Sequence, residues 1–256
     1  MSERRFAGRV VFVTGAASGL GKASALRLAQ EGARMMLFDR NAAGLKDMEA
    51  LCPGSISYAG DASLAADVNA AAELSRKTFG PAELLVASAG ITGVPKPAVD
   101  FTEAEWDQVF DINVKGSWLA VKALVPQMRE LGKGSIVLFS STAGLGGSGF
   151  MPVYSASKGA VAMLTRSLAI NHARENIRVN CVCPGTIDTP MAQQMFVQAT
   201  AVGGPMPPTM DVMRNRIPMG RFGQADEIAD AVLYLLSDAA SYTTGVALPV
   251  DGGLKA

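Results

Sequence analysis

The chain alternates short apolar runs with longer helix-like stretches over nearly its whole length. The short runs predict strands at 10–14, 34–39, 55–60, 84–88, 135–140, 178–182 and 246–250. The longer stretches predict helices at 20–31, 43–51, 64–79, 103–131 with a break around Asn113, 153–174 and 226–236. Strands separated by helices of this length form βαβ units, because parallel strands need such crossover connections.

Several of the predicted strands are apolar throughout rather than alternating. Val10-Val11-Phe12-Val13 is an example, and this pattern is typical of a sheet covered by helices on both faces. No internal repeat and no interdomain linker interrupts the chain. We therefore expect a single α/β domain over residues 1–256, with a doubly wound, mostly parallel seven-stranded sheet.

The composition excludes several classes of protein. Hydrophobic residues make up 49% of the 256 residues and charged residues only 18%, so the chain can bury a large core. Acidic and basic residues balance at 23 each, so we expect no nucleic acid and no anionic membrane as a partner. The apolar runs are too short for a membrane span or a secretory signal, and we expect a cytoplasmic protein.

The three cysteines, Cys52, Cys181 and Cys183, do not suggest a disulfide framework, since their number is odd and their spacing irregular. Cys181 and Cys183 could form half of a metal site. The chain has no second cysteine pair, however, and its only histidine is His172. We therefore expect two buried strand cysteines and no metal.

A glycine-rich segment follows the first predicted strand and opens the first helix. It reads Thr14-Gly15-Ala16-Ala17-Ser18-Gly19-Leu20-Gly21. A phosphate-binding turn needs glycines, for positive φ and for close approach of the backbone to the diphosphate, and the helix N-terminus offers free N–H groups to the anion. The alternative is an ordinary βα turn without a ligand.

Asp39, at the end of the second predicted strand, indicates the cofactor. A carboxylate there can accept both adenosine ribose hydroxyls of NAD and would repel the 2′-phosphate of NADP. Arg40 could pair with that phosphate, but Ser18 in the loop supplies no cation for it. We therefore expect NAD. The alternative role for Asp39 is to cap the helix that starts near Asn41.

Tyr154 and Lys158 stand four residues apart in a helical stretch after Pro152, so they share one helix face. Ser141 lies at the end of the fifth predicted strand, and the carboxyl ends of such strands line the ligand crevice. Alone, a Tyr/Lys pair at this spacing is usually a surface feature.

Together these residues resemble the short-chain dehydrogenase/reductase family over almost the whole chain. The matching motifs are Thr14-Gly15-x-x-x-Gly19-x-Gly21, Asp61 after the third strand, Asn113 in Asp-Ile-Asn-Val, Ser140-Ser141, Tyr154-x-x-x-Lys158, Pro184-Gly185-x-x-x-Thr189 and Asp251-Gly252-Gly253. The resemblance implies a Rossmann-type fold. One departure is Ala87-Ser88-Ala89-Gly90, where the family usually has Asn-Asn-Ala-Gly, and it puts the local sheet geometry in question.

The resemblance implies four catalytic roles. Tyr154 is the general acid/base, Ser141 hydrogen-bonds the reacting oxygen, Lys158 holds the nicotinamide ribose and lowers the pKa of the tyrosine, and Asn113 anchors a water in a proton relay. It also implies that Asp61 binds adenine and that Thr189 touches the carboxamide. The full set of implied cofactor-binding residues is Gly15, Ser18, Gly19, Leu20, Gly21, Asp39, Asp61, Ala62, Gly90, Tyr154, Lys158, Pro184, Gly185, Ile187 and Thr189.

Simple electrostatics support a role for Lys158 next to Tyr154. A free tyrosine titrates near ~10 and a base working near neutrality needs ~7, a difference of roughly 4 kcal/mol. One cation about 4 Å away supplies a similar energy at an effective dielectric constant of ~20. Burial opposes ionisation, so Lys158 alone is marginal and the positive nicotinamide of NAD⁺ would help.

Residues 189–221 break the strand–helix rhythm and predict a substrate lid. The segment contains six methionines: Met191, Met195, Met206, Met210, Met213 and Met219. Further apolar residues near the expected site are Ile91, Leu145, Met151 and Val153. These residues favour a neutral, moderately hydrophobic secondary alcohol or ketone.

Alternatives to this substrate prediction stay open. The methionines could instead pack in the core or between subunits, and Arg214, Arg216 and Arg221 could meet a carboxylate or phosphate. For His172, a capping or dipole role at a helix end is expected.

The predicted function is hydride transfer between NAD(H) and such a substrate. One alternative is a non-catalytic NAD-binding regulator on the same fold, although Ser141, Tyr154 and Lys158 are intact. Another is a nucleotide-sugar epimerase or dehydratase, which would be longer and would space its loop glycines differently. The family resemblance, the apolar helix residues between 114 and 131 and the apolar run 246–250 further predict a homotetramer.

Overall fold

The computed structural model describes residues 4–193 and 209–256. One sheet of seven strands forms its centre. The strands are β1 (Val10–Thr14), β2 (Arg34–Asp39), β3 (Ile56–Ala59), β4 (Leu84–Ala87), β5 (Gly134–Phe139), β6 (Ile177–Pro184) and β7 (Ala247–Val250). All neighbouring pairs are parallel and the spatial order is β3-β2-β1-β4-β5-β6-β7. The predicted doubly wound, Rossmann-type α/β fold is confirmed.

Helices follow the strands, as the sequence pattern predicts. They are α1 (Gly19–Gln30), α2 (Ala42–Leu51), α3 (Ala65–Phe79), α4 (Glu103–Phe110), α5 (Gly116–Leu131), α6 (Thr142–Leu145), α7 (Pro152–His172), α8 (Met210–Asn215) and α9 (Ala225–Leu236). A π-helix, Asp111–Lys115, joins α4 to α5 at the break predicted around Asn113. Short 3₁₀ turns lie at Ala98–Asp100, Ala173–Glu175 and Asp238–Ala240.

The helices cover both faces of the sheet, so each face has its own core. Phe12 and Met36 pack on one face with apolar residues of α3, α5 and α7. Val11 and Val13 point to the other face and pack with residues of α1, α2 and α9. A strand with apolar residues packed on both of its sides does not alternate apolar and polar residues, which explains the continuous apolar runs in the sequence.

Local sequence signals account for several helix ends. Thr102 and Glu105 form a capping box at the start of α4, and Pro152 occupies the first turn of α7. Gly132 ends α5 in the left-handed region at φ 67°. These signals explain why the predicted helix bounds lie close to the observed ones.

Other sequence expectations have mixed outcomes. Cys52, Cys181 and Cys183 are buried free thiols, and the last two lie in β6 as expected. Across the described part of the chain, no helix has both the length and the apolar character needed to cross a membrane. Much of the predicted lid, at residues 194–208, lies outside the described residues.

The strand order places the candidate site. β1 connects through α1 to β2 on one side, whereas β4 lies on the other side of β1, so the winding reverses between β1 and β4. Ligands of open parallel sheets bind at the carboxyl ends of the strands beside such a reversal. The glycine-rich segment and Gly90 both lie at this edge, because each directly follows one of these two strands.

Candidate active site

The glycine-rich segment turns tightly between β1 and α1. Gly15 and Gly19 have φ values of 67° and 53°, in the region that favours glycine. A Cβ on Gly15 would lie 2.9 Å from the backbone nitrogen of Ala89, and one on Gly21 would collide with the carbonyl oxygen of Gly15. Gly15 and Gly21 therefore allow close main-chain contacts: Gly15 with Ala89, and Gly21 with Gly15.

Gly19 has a different role. No described atom lies within 4 Å of a Cβ built at Gly19, so the loop faces open space at the start of α1. Ser18 precedes the helix in extended conformation, and its side chain does not cap it. The first N–H groups of the helix are thus available to an anion, which fits the diphosphate of a dinucleotide.

Thr14 connects the loop to β4, a contact that the sequence analysis missed. Its hydroxyl oxygen accepts a hydrogen bond from Ala89 N at 3.1 Å. Ala87 still pairs in regular register with Thr14 and Leu138, although the usual asparagines are missing from this segment. The departure from the family motif therefore leaves the sheet geometry intact here.

Asp39 ends β2 next to the loop. Its carboxylate accepts hydrogen bonds from Ala17 N at 3.0 Å and from Asn41 N at 2.9 Å. The cap of α2 is Asn41 itself, whose side chain accepts from Gly44 N, so the capping alternative for Asp39 is wrong. A carboxylate has about four lone-pair sites, so Asp39 keeps acceptor capacity for ribose hydroxyls.

Asp61 and Ala62 lie beyond β3, at the far end of the same crevice edge. Hydrogen bonds from the Ser63 side chain and backbone lower the pKa of Asp61. Ala62 is nearly buried, and its carbonyl oxygen lies 3.1 Å from the Cβ position of Gly116. This location, on the β3 side of the glycine-rich loop, suits the adenine end of a dinucleotide.

Ser141, Tyr154 and Lys158 converge from two elements. Ser141 follows β5 and caps α6, with its hydroxyl oxygen accepting from Ala143 N at 3.1 Å. Tyr154 and Lys158 lie one turn apart on α7, and Lys158 Nζ is 5.7 Å from the centroid of the Tyr154 ring. The predicted catalytic residues are therefore brought together.

Burial dominates the titration of Tyr154 and Lys158. It raises the pKa of Tyr154, and the neighbouring Ser141 hydroxyl acts in the opposite direction. Burial also lowers the pKa of Lys158 to about 8, and this residue is only 5% exposed. Lys158 Nζ donates to the carbonyl oxygen of Phe139 at 2.8 Å, which fixes the end of its chain.

Asn113 is fully buried in the π-helix. Its side chain accepts from Ile91 N at 2.8 Å and donates to Ile91 O at 2.9 Å and to Ser157 Oγ at 3.0 Å. Its own carbonyl oxygen accepts from Ser117 Oγ at 2.7 Å. The Asn113 side chain thus ties the segment after β4 to α7, a structural role that the sequence analysis did not foresee.

The remaining predicted residues lie along the same edge. A Cβ on Gly90 would lie 3.1 Å from Asn113 Oδ1 and 3.3 Å from Lys158 Nζ, so Gly90 borders these two candidate catalytic residues. Pro184 ends β6. Gly185 packs against Asp251, because a Cβ built on Gly185 would lie 2.8 Å from the Cα of Asp251. Ile187 is buried, and the Thr189 hydroxyl accepts from Ala192 N at 3.4 Å.

Comparisons with known proteins agree with this geometry. The sequence profile described as Enoyl-(Acyl carrier protein) reductase matches residues 15–255. 2-(S)-Hydroxypropyl-CoM dehydrogenase 3 of Xanthobacter autotrophicus is 40% identical over 261 residues, covering 98% of each chain. The chain belongs to the short-chain dehydrogenase/reductase family. As a member of that family it is an oxidoreductase.

Solved structures of other proteins are similar to this short-chain dehydrogenase/reductase throughout. The crystal structure of levodione reductase has a TM-score of 0.91 at 37% identity and covers 97% of this chain and 98% of its own. NAD⁺-bound xylitol dehydrogenase has a TM-score of 0.92 at 35% identity, covering 97% and 100%. The likeness extends over the whole sheet and both helical layers.

The described residues around this dehydrogenase/reductase site bear on the predicted apolar character. Met191, Met210 and Met219 are 40%, 39% and 62% exposed, so they do not pack in the core of this chain. Leu145 is 39% exposed, whereas Val153, next to Tyr154, is only 1% exposed and offers little surface to a substrate. Met195 and Met206 lie outside the described residues.

Two of the three lid arginines already have acidic partners. Arg214 pairs with Asp211 at 2.9 Å, and Arg221 pairs with Glu227 at 2.6 Å. Arg214 and Arg221 thus have acidic partners within the chain, and exposed ion pairs of this kind are weak.

His172 is the last residue of α7, and its Nδ1 lies 2.8 Å from the Glu175 carboxylate, which agrees with the expected role at a helix end.

Proposed function

We propose that the chain transfers hydride between NAD(H) and a neutral, moderately hydrophobic secondary alcohol or ketone. The observation that carries this proposal is the convergence of Ser141, Tyr154 and Lys158 beside Gly90, at the sheet edge where the winding reverses between β1 and β4. A phenol, a hydroxyl and an ammonium group in one crevice can hold a carbonyl oxygen and exchange a proton with it.

Each of these groups has a distinct task. NADH supplies the hydride when bound and NAD⁺ accepts it in the reverse direction. In ketone reduction the Tyr154 phenol donates its proton to the carbonyl oxygen, and in alcohol oxidation the phenolate takes that proton back. Ser141 donates a hydrogen bond to the same oxygen, and Lys158 holds the cofactor ribose.

The cofactor assignment rests on Asp39 and the glycine-rich loop. Asp39 brings a carboxylate to the place where a 2′-phosphate would lie, so NAD is favoured over NADP. Gly15, Gly19 and Gly21 shape the turn, while Ser18 and Leu20 present it at the start of α1. Asp61 and Ala62 would border the adenine, and Pro184, Gly185, Ile187 and Thr189 the nicotinamide.

The substrate class rests on exposed apolar side chains of α6 and of the described parts of 189–221. Leu145, Met191, Met210 and Met219 offer apolar contact surface, while Arg214 and Arg221 are paired within the chain. A flexible, methionine-rich surface suits a compact apolar substrate. We further propose a cytoplasmic enzyme that works as a homotetramer.

Replacing Tyr154 by phenylalanine tests the proposal. The variant should lose turnover by about 10²–10⁴-fold, because only the phenolic proton is removed, while binding of NADH stays within about twofold. Tyr242→Phe is the matched control, because Tyr242 is fully exposed and should behave as the wild type. Turnover should be followed by NADH absorbance over a panel of secondary alcohols and ketones. A Tyr154→Phe variant with more than a tenth of wild-type activity would refute the assignment.

The same panel tests the regulator alternative. A non-catalytic NAD-binding protein would bind NADH, as seen by fluorescence, and show no turnover with any alcohol or ketone offered. The intact set of Ser141, Tyr154 and Lys158 favours the enzyme, since a regulator has no need of all three groups.

A further inference from the structure

The turn that carries Ser141 is docked onto α7 around Lys158, through both the main chain and the side chain of that residue. The Ser140 hydroxyl donates to the carbonyl oxygen of Lys158 at 2.8 Å. The Lys158 side chain donates in return to the carbonyl oxygen of Phe139 at 2.8 Å. The last residues before Ser141 are therefore joined to the helix that carries Tyr154.

A third contact comes from Gly144, within the short helix α6 that Ser141 caps. A Cβ built on Gly144 would lie 2.5 Å from the carbonyl carbon of Lys158 and 2.7 Å from the backbone nitrogen of Gly159. Both atoms are main-chain atoms of a 21-residue helix and cannot move aside as a side chain could. Only glycine at this position allows the turn to approach α7 so closely.

We propose that Ser140 and Gly144 are positioning residues, which hold the Ser141 hydroxyl against the Tyr154 phenol by docking its turn onto α7. The inference rests on the proposed function, which assigns Ser141 and Tyr154 to the reacting oxygen. Neither positioning residue touches substrate or cofactor. Ser140 and Gly144 affect the reaction by fixing the position of the Ser141 hydroxyl.

The contacts are specific to Ser140 and Gly144 among their neighbours. Gly147 and Gly149, a few residues further along the same connection, have no described atom within 4 Å of a built Cβ and no positive φ. Ser140 is 3% exposed and satisfies its hydroxyl on the carbonyl of a catalytic residue rather than within its own turn. Of the two docked elements, α6 has 4 residues and α7 has 21, so a misfit will displace the turn.

Gly144→Ala measures this displacement. A shift of about 1 Å in a catalytic group can cost roughly 10²-fold in rate, so kcat should fall by about that factor. The dissociation constant of NADH, measured by fluorescence, should stay within about twofold, because the glycine-rich loop is untouched. Gly147→Ala is the matched control, since its added methyl group meets open space, and it should keep wild-type kcat.

The pH profile gives a readout that loss of stability would not move. The Ser141 hydroxyl acts to lower the pKa of Tyr154, so moving it away should shift the alkaline limb of ketone reduction to higher pH. Lys158 is the charged group facing the Tyr154 ring, and its pKa of about 8 lies below that of Tyr154, so its titration is separate from the alkaline limb. The shift therefore reports on Ser141.

Ser140 provides a second, milder test should Gly144→Ala fail to fold. Ser140→Ala should lower kcat with NADH binding retained, and Ser140→Thr, which keeps the hydroxyl, should restore most of it. The proposal is overturned if Ser140→Ala keeps the wild-type kcat and pH profile. It is also overturned if kcat and the affinity for NADH fall together in this variant. Retained activity in Tyr154→Phe would instead overturn the proposed function, so the two failures are distinguishable.

Discussion

At the scale of single residues, burial acts on Tyr154 and Lys158 in opposite directions. It raises the pKa of the phenol and lowers that of the ammonium to about 8. Both shifts favour the neutral form, because a low-dielectric environment disfavours charge. At neutral pH the tyrosine is therefore protonated and ready to donate, and a low tyrosine pKa requires the positive nicotinamide of bound NAD⁺ in addition to Lys158.

This balance predicts opposite pH dependences for the two directions of the reaction. For ketone reduction kcat/KM should be level at neutral pH and fall as pH rises through the raised pKa of Tyr154, since the donor proton is lost. For alcohol oxidation it should rise with pH, because the phenolate is the active form. Because an ordinary tyrosine already titrates near ~10, initial rates from pH 6 to about 11 in constant ionic strength check this. Parallel slopes in both directions would contradict it.

Asp39 carries the prediction about cofactor preference. Wild-type protein should have a higher kcat/KM with NAD than with NADP, and Asp39→Ala should narrow that ratio by roughly tenfold or more, since hydrogen bonds to charged groups contribute about 1.5–3 kcal/mol. Asp39→Asn removes the charge but keeps an oxygen that can accept from Ala17 N. It therefore separates repulsion of the NADP 2′-phosphate from the hydrogen bond that supports the loop. Asp47→Ala, on α2, is the control. Equal use of both cofactors by the wild type would refute the prediction.

The sequence indicates the candidate catalytic and loop residues because each occupies a motif with fixed spacing. The partners of those residues could not be predicted from it. Thr14 meets Ala89, 75 positions away, and Ser140 meets the carbonyl of Lys158, 18 positions away. A serine or threonine gives no sign in the sequence of which distant main-chain group it will bond, because that depends on the tertiary approach of two elements.

At the scale of elements, the junction of α4 and α5 shows how far sequence reasoning extends. The pattern indicates a break around Asn113, and the break is a π-helix over Asp111–Lys115. Its type depends on the hydrogen bonds of Asn113 to Ile91 and Ser157, which belong to two other segments. A periodicity argument within one helix contains no information about them. Such π segments are often found at functional sites.

The close packing of the glycine-rich turn predicts how a substitution there would affect helix α1 and cofactor binding. Gly21→Ala should weaken NADH binding by at least about tenfold, because the new methyl group would strike the Gly15 carbonyl and displace the start of α1 from the loop. Overpacking of this kind typically also costs about 1–3 kcal/mol of stability. Fluorescence titration with NADH and thermal unfolding measure the two effects.

Gly54→Ala controls for strain alone. Gly54 has φ 86° and no described atom within 4 Å of a built Cβ, so its substitution strains the backbone far from the loop. It should lower the melting temperature without changing NADH affinity. Unchanged NADH binding in Gly21→Ala would show that the close approach of Gly15 and Gly21 does not matter for the cofactor.

At the scale of the whole molecule, the alternation of apolar runs and helices predicted the sheet and both helical layers. Strands β1 and β2 have the predicted bounds, and β6 runs from Ile177 to Pro184, longer than expected. The extension reflects pairing with β7, where Pro184 lies opposite Val250. Pairing between strands so far apart in the chain has no local signal. For residues 189–221 the sequence predicts a lid but not the helix Met210–Asn215 within it, since methionine- and proline-rich sequence has no periodicity to interpret.

Large apolar side chains remain exposed on helices that cover one face of the sheet. Trp118 of α5 is 42% exposed, and Met163 and Ile170 of α7 are 57% and 79% exposed. Among the described residues, β7 pairs with β6 alone and so forms one edge of the sheet, and Pro249 removes one backbone donor from that edge. Exposed apolar surface on neighbouring helices is typical of an interaction surface.

These surfaces support the prediction of a homotetramer, because closed symmetric pairing would bury them. Light scattering at micromolar concentration should give about four times the chain mass of 26.6 kDa. Ile170→Glu places a charge on the exposed face of α7 and should reduce the measured mass to that of a dimer or monomer, because burying an unpaired charge is costly. Leu51→Glu is the matched control: Leu51 is 53% exposed on α2, which packs on the opposite face of the sheet, and its substitution should leave the mass unchanged. A wild-type monomer near 26.6 kDa would refute the tetramer and leave the oxidoreductase assignment untouched.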